Sequence, residues 1–435
     1  MSGDRRQHVA VVGGGWAGLA AAVRAVQRGC RVSLFEMAPQ LGGRARSAQV
    51  GDWLLDNGQH ILIGAYRDTL ELMRDVGVDL ATALHRMPLA LVDADGVGLT
   101  LPPGRAIPSF ARGVLGATHW PLSHRLSLLM AAARWGAHGF NCDAMQTVSD
   151  LVVKLPRRIQ QELIEPLCVA ALNTPAHQAS GRVFLRVLRD ALFGGRGASD
   201  LLLPQTPLAQ LLPGPAGAWL DAAGARVCLR SRVQSLAVDG DAPSRWLVDG
   251  ESFDGVMLAC SANDAARLAA PINVVWAGQA SRVAYQSIVT VYVHHPDAKL
   301  AFPMTTLVDS VEHPAQFAFD HGMLTRRRGL LAFVVSGANP WLLQGLQATV
   351  DATLRQARHA LPSAPWIDHL NVVGAIAERR ATFACIPSLQ RPTQRIAPGL
   401  LACGDYVDGP YPATLEGAVR SGRAAAERMA TPDAR

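Results

Sequence analysis

The sequence predicts an α/β chain: a Rossmann-like parallel sheet for a dinucleotide, joined to a second domain of mixed sheet and helices. Three observations predict it. Residues 8–36 read strand, glycine turn, helix, strand. Residues 400–422, LLACGDYVDGPYPATLEGAVRSG, repeat strand, glycine, loop and small-residue helix at the other end of the chain. Between them lie apolar helical stretches and a set of alternating strands.

The first element is HVAVVGGGWAGLAAAVRAVQRGCRVSLFE. His8 to Val12 is a short β-branched run, and Gly13-x-Gly15-x-x-Gly18 opens a helix of small residues. Val32 to Phe35 is the next strand, and Glu36 ends it. Gly13 permits a tight turn, Gly15 lets backbone N–H groups approach a pyrophosphate, and Gly18 lets helix and strand pack closely. The helix N-terminus adds partial positive charge, so Trp16 and Ala17 are expected beside the phosphates. Glu36 is expected to accept hydrogen bonds from ribose hydroxyls. A glycine turn without a ligand leaves Glu36 unexplained.

This fingerprint alone does not separate NAD from FAD. Two further stretches favour FAD. Leu41-Gly42-Gly43-Arg44 follows the second strand at once. Gly43 and Arg44 suit a second approach to the diphosphate, with the guanidinium neutralising it. At the C-terminal end the strand closes on Gly404-Asp405, whose carboxylate is placed to hold ribitol hydroxyls. The helix that follows begins Leu415-Glu416-Gly417-Ala418. Leu415, Gly417 and Ala418 permit close approach by a flat ring, and free N–H groups at the helix start favour the negative charge of a reduced flavin. A nicotinamide needs neither feature.

With these motifs in view, the chain resembles the flavin amine oxidase and phytoene desaturase superfamily. GGGWAG, Glu36, LGGRARS, DNGQH, AERRATFACIPSLQRP and GDYVDGPYPATLEGAVRSG carry the likeness from residue 8 to about 425. Within that superfamily it is similar to the hydroxysqualene dehydroxylases. The stretches that carry this are Asp56-Asn57-Gly58-Gln59-His60 with ILIGAY, EPLCVAALNTPAHQAS, and DYVDGPYPATLEGA. The resemblance implies FAD as cofactor and an FAD-dependent reaction in which hydride from FADH2 replaces the hydroxyl of hydroxysqualene, giving squalene on the way to hopanoids. It implies an apolar isoprenoid substrate, and an electron donor, not identified by the sequence, that reduces FAD. It also implies that Gly58 and Gln59 run beside the isoalloxazine and that backbone around Val233 faces the adenine. Composition and spacing reach only an FAD oxidoreductase with an apolar substrate.

Length and composition fit this reading. The 435 residues are long for one core, and 49% hydrophobic against 17% charged is globular. The division expected is discontinuous. Residues 1–80, 216–275 and 391–435 form the FAD-binding domain, 81–215 a helical substrate lobe, and 276–390 a substrate-binding sheet. The net charge of +6 comes from arginines scattered along the chain, with no basic stripe interleaved with aromatics, so nucleic acid is not an expected partner. The seven cysteines include no CxxC pair and read as free thiols in a reducing, cytoplasmic compartment. No signal peptide is read at the N-terminus, and no apolar run reaches the about 18–20 residues of a membrane span. Helices around 106–140, with Arg112, Arg125 and Arg134 beside Trp120 and Trp135, leave peripheral contact with the inner face of the cell membrane open.

For chemistry, DNGQH places His60 between two apolar segments, where it is the nearby group able to titrate near neutral pH. A structural, hydrogen-bonded histidine fits the same position. Removal of a hydroxyl calls for a general acid. His60 and Tyr411 are the catalytic candidates, Tyr411 because it precedes the flavin-facing helix. No metal site and no covalent nucleophile is expected. Two other readings stand beside the dehydroxylase: a carotenoid-type isoprenoid desaturase or an amine oxidase, and a flavin or lipid carrier without turnover. Only two lysines occur, Lys154 and Lys299, neither near a flavin motif, which argues against an amine oxidase with a lysine-held water.

Overall fold

The computed structural model describes residues 6–430. Its first sheet has six strands in the order Arg226–Cys228, Arg31–Phe35, His8–Val12, Gly255–Leu258, Leu400–Ala402, Arg395–Ala397. The first five run parallel and the last is antiparallel. Strands from three distant parts of the chain therefore share one sheet. His8–Val12 lies near its middle and is buried along its whole length, as its β-branched run requires.

The helix Trp16–Gln27 packs on this sheet and against the last helix, Leu415–Ala430. Small residues let the two backbones touch. A Cβ on Gly422 would stand 2.1 Å from the Ala17 carbonyl oxygen. This contact explains why both ends of the chain carry Gly- and Ala-rich helices: they are partners.

A second sheet has five antiparallel strands in the order Met304–Thr306, Phe317–Asp320, Leu330–Val335, Tyr285–His294, Asn371–Phe383. The run AERRATFACIPSLQRP belongs in part to this sheet. Its first half is the end of the longest strand of this sheet, Asn371–Phe383. In 226–264 the two end strands join the parallel sheet, and Leu236–Val238, Trp246–Val248 and Glu251–Phe253 form a small antiparallel sheet. Helices Ala106–Gly116, Leu122–Ala137, Glu165–Leu172 and Gly181–Phe193 belong to a further apolar cluster. Trp120 and Trp135 are 1% and 8% exposed, so they serve that core and offer nothing to a membrane. The exposed apolar side chains there are Ile107, Leu115, Leu122, Leu126 and Met130.

Candidate active site

A cavity of about 630 Å³ runs from the carboxyl ends of the parallel strands to the second sheet. The carboxyl edge is where parallel α/β sheets bind ligands. Its floor is two facing glycine loops. The Gly42 N–H donates to the Gly14 carbonyl at 2.9 Å, and a Cβ built on Gly43 would meet Gly15 Cα at 3.1 Å. Gly13 has φ +112, and a Cβ there would meet the Ala259 carbonyl oxygen at 2.6 Å. Gly18 stands behind the lining: its Cβ would fall 1.9 Å from the Gly13 oxygen. It shapes the turn without facing the cavity. The helix Trp16–Gln27 starts from Gly15 with no side-chain cap and no acid in its first turn. Its leading N–H groups are left for an anion in the cavity. Trp16 and Ala17 line the cavity, the Trp16 indole N–H being held by the Ala45 carbonyl at 3.2 Å.

Glu36 is buried and lines the cavity. It accepts from Gly14 N–H at 2.6 Å and Ala38 N–H at 2.7 Å. Each carboxylate oxygen keeps a lone pair for a ligand hydroxyl. Val233 lines the same region, with its carbonyl taken by Arg267 at 2.7 Å.

The two ends of the chain meet through Arg44 and Asp405. The Arg44 guanidinium donates to Asp405 Oδ1 at 2.5 Å, to the Ala381 carbonyl at 2.7 Å and to the Arg380 carbonyl at 3.2 Å. This corrects the expectation that Arg44 is free to neutralise a diphosphate. Its charge is matched by Asp405, and it ties the second glycine loop to the C-terminal loop and to the second sheet. Gly404, Asp405, Leu415 and Ala418 line the cavity, whereas Gly417 faces a second cavity behind it.

Gly58, Gln59 and His60 lie on the wall. The His60 Nδ1–H donates to the Gly58 carbonyl at 3.3 Å, because a carbonyl can only accept. Burial lowers its pKa from 6.5 to about 4, with Arg44 adding to the effect. His60 is therefore neutral at pH 7, with Nε2 as an acceptor. The expectation that it titrates near neutrality is corrected, and with it the role of a standing acid. Tyr411, by contrast, is not on the wall. Its ring lies between the guanidiniums of Arg186 and Arg420, each 5.1 Å from its centroid, and its hydroxyl meets Arg186 at 3.3 Å. It lines the second cavity, as do Arg391 and Arg420.

Several lining residues escaped the sequence reading. Thr290 and Tyr406 are buried at the cavity, and their hydroxyls have no partner among the described residues. Both sit in ordinary-looking strand and loop contexts. Only the alternation of YQSIVTVYVHH could have shown that Ile288, Thr290 and Tyr292 share a face. Ile288, Phe317, Phe319 and Val334 from the second sheet, with Val169 and Ala171 from a helix, make the far end apolar. The Cys260 thiol also lines the cavity, pushed up to about 12 by burial. Neither lysine lines it. Among the described residues no cluster of His, Cys, Asp and Glu could hold a metal.

Facing glycine loops, an uncapped helix start, a ribose-side carboxylate and the orphaned Tyr406 hydroxyl fit a long dinucleotide with a polar ring system. The family model for flavin containing amine oxidoreductases matches residues 16–430. The chain belongs to this family. It is an FAD-dependent oxidoreductase. This flavoenzyme is similar to the hydroxysqualene dehydroxylase of Rhodopseudomonas palustris, 26% identical over 96% of this chain and 97% of the relative. It is also similar to the 15-cis-phytoene desaturase of Solanum lycopersicum, 23% identical over 97% of this chain and 77% of that one. Among solved structures, an oxidoreductase from Methanosarcina mazei matches 97% of this chain with a TM-score of 0.73 at 12% identity, a likeness of fold. In this flavoenzyme the 13–18 and 42–43 loops would hold the diphosphate, Glu36 the adenosine ribose, and Asp405 with the Leu415 helix start the flavin side.

Proposed function

We propose that the enzyme reductively removes the hydroxyl of hydroxysqualene to give squalene. The observation that carries this reading is the far end of the cavity. Beyond Gln59 and His60 its walls are chiefly aliphatic and aromatic, with no lysine and no cationic histidine at neutral pH. Similarity to hydroxysqualene dehydroxylases over nearly the whole chain supports the same substrate class. Bound and reduced, FAD supplies the hydride that forms the new C–H bond as the C–O bond breaks and the hydroxyl leaves with a proton as water. The chain's own residues bind and orient. The apolar wall takes up the isoprenoid and excludes water. The Arg44–Asp405 pair fixes the loop at the flavin side. Neutral His60 offers a hydrogen-bond acceptor and adds no positive charge to compete with a developing allylic cation.

FAD is reduced by a separate donor in this reading, and the enzyme works in the cytoplasm at the inner membrane face. Among the described residues no helix is long and apolar enough to cross a membrane. Between Asp95 and Asp143 the chain carries no acid and four arginines, Arg105, Arg112, Arg125 and Arg134. The exposed Leu122, Leu126 and Met130 repeat every four residues on one helix face beside that charge. Apolar side chains rimmed by arginine suit an anionic lipid surface.

Running the reaction in D2O tests the chemistry. The flavin hydrogen exchanges with solvent, so squalene formed from hydroxysqualene should carry one deuterium at the carbon that bore the hydroxyl. Squalene without deuterium, or no squalene from the reduced enzyme, rejects the reading. The similarity to phytoene desaturases favours one rival, in which the oxidised enzyme takes hydride from a hydrocarbon. That rival predicts reduction of the flavin by a polyene precursor in the absence of any reductant.

A further inference from the structure

We infer that Gln59 and Thr290 form a subsite that recognises the hydroxyl of an alcohol, with His321 and Tyr292 setting its polarity. The inference rests on the reading that the substrate is an isoprenoid alcohol. Gln59 Nε2 lies 3.0 Å from Tyr292 Oη and 3.0 Å from His321 Nε2. Which end of the amide points there is decided twice, independently. Tyr292 gives its single hydroxyl proton to the Asp56 carbonyl at 2.8 Å, so toward Gln59 it can only accept. At the other side, Thr325 gives its hydroxyl proton to the His321 carbonyl at 3.0 Å. His321 Nδ1 must then donate to Thr325 Oγ1, at 3.3 Å, and its Nε2 is left as an acceptor. Burial keeps His321 neutral, lowering its pKa to about 4. Both neighbours accept, so the amide nitrogen donates to both. The amide oxygen is turned the other way and has no partner among the described residues.

Gln59 lines the cavity, and so does Thr290. The Thr290 hydroxyl is 1% exposed as a residue and has no hydrogen-bond partner. It lies 3.9 Å from where a Cβ on Gly58 would stand, one residue from Gln59. An orphaned buried hydroxyl costs stability, so its presence calls for a ligand partner. Together the two groups complement an alcohol. A fixed amide oxygen accepts the ligand O–H, and Thr290 donates to the ligand oxygen. Ile288 and Phe319, on the same two strands as Thr290 and the residues leading to His321, provide apolar wall beside them. A hydrocarbon of the same length satisfies the wall and leaves both polar groups unpaired. The subsite therefore discriminates substrate from its deoxygenated product and favours product release.

The experiment titrates the purified, FAD-loaded enzyme with hydroxysqualene and with squalene, following the flavin spectrum. Wild type should bind the alcohol more tightly. Thr290→Val, which removes the hydroxyl and keeps the shape, should reduce that preference on the order of threefold to tenfold by weakening alcohol binding alone. Gln59→Leu should do the same. His321→Phe should match Gln59→Leu, while His321→Gln, which restores an acceptor, should recover the preference; a merely structural histidine would not separate the two. Equal affinity for alcohol and hydrocarbon in wild type overturns the subsite. So does an unchanged preference in Thr290→Val, which fills the same space and retains FAD. If squalene is produced but the preference ignores these variants, the subsite fails and the proposed reaction stands. If the preference responds but no squalene forms, the subsite stands and the reaction fails.

Discussion

Gly18→Ala isolates one contact on which the cofactor site depends. Gly18 lies in the first turn of Trp16–Gln27 and has no positive φ, so the backbone accepts alanine without strain. Helix propensity favours alanine by about 1 kcal/mol. Against that, the new Cβ would sit 1.9 Å from the Gly13 oxygen and 3.1 Å from Ala259 Cβ. Restoring ordinary contact requires the helix and turn to part by about 1.5 Å. Neither partner yields easily, since His8–Val12 and Gly255–Leu258 are buried strands paired to each other. Overpacking of this kind costs about 1–3 kcal/mol, so the clash outweighs the propensity gain. The larger effect falls on FAD, because the displaced turn carries Gly15 and the leading N–H groups of the helix away from the diphosphate. The variant should lose up to about 2 kcal/mol in chemical denaturation and purify with little flavin, read as the ratio of flavin to protein absorbance. Wild-type flavin content with an unchanged midpoint would refute the reasoning.

Gly15→Ala should lose FAD without losing stability: its Cβ meets only Gly43 Cα at 3.7 Å, so the apoprotein should fold as before while FAD affinity drops, measured by apoprotein titration. Asp405→Asn strands the Arg44 charge, half-exposed as it is, and should cost about 1–3 kcal/mol and release FAD more readily in a dialysis assay. His321 is protonated more in the unfolded chain than in the fold, because its folded pKa lies below 6.5. Its contribution is thus complete above about pH 6.5 and is lost as the pH falls toward 4, by up to about 3 kcal/mol. Urea midpoints across that range should fall less steeply for His321→Gln. Replacing Leu122, Leu126 and Met130 together by serine should abolish cosedimentation with anionic vesicles and leave flavin content unchanged; unaltered cosedimentation would remove this face from the membrane.

The nucleotide half of the site was legible because its glycines act through the backbone, at fixed spacing within a βαβ unit and again where the Leu400–Ala402 strand ends. Gly13, Gly15, Glu36, Gly43, Gly404 and Asp405 all line the cavity. Side chains whose role depends on distant partners were not legible. Arg44 reads as a phosphate ligand until Asp405, 361 residues later, is seen to occupy it. His60 reads as a titrating group until its burial is known. Tyr411 stands just before the flavin-facing helix in sequence, yet Arg186 from another helix and Arg420 from that same helix hold its ring at the second cavity. Gln59 and His321 are 262 residues apart, and no local pattern links them.

The most direct test of the proposed reaction is one anaerobic turnover. The bound flavin is reduced with dithionite, the excess reductant is removed, and hydroxysqualene is added. The dehydroxylase reading predicts that the flavin reoxidises in step with squalene, one molecule for each flavin. A flavin that stays reduced in the presence of the alcohol, while the oxidised enzyme bleaches with a polyene precursor, would contradict it and make the enzyme a desaturase.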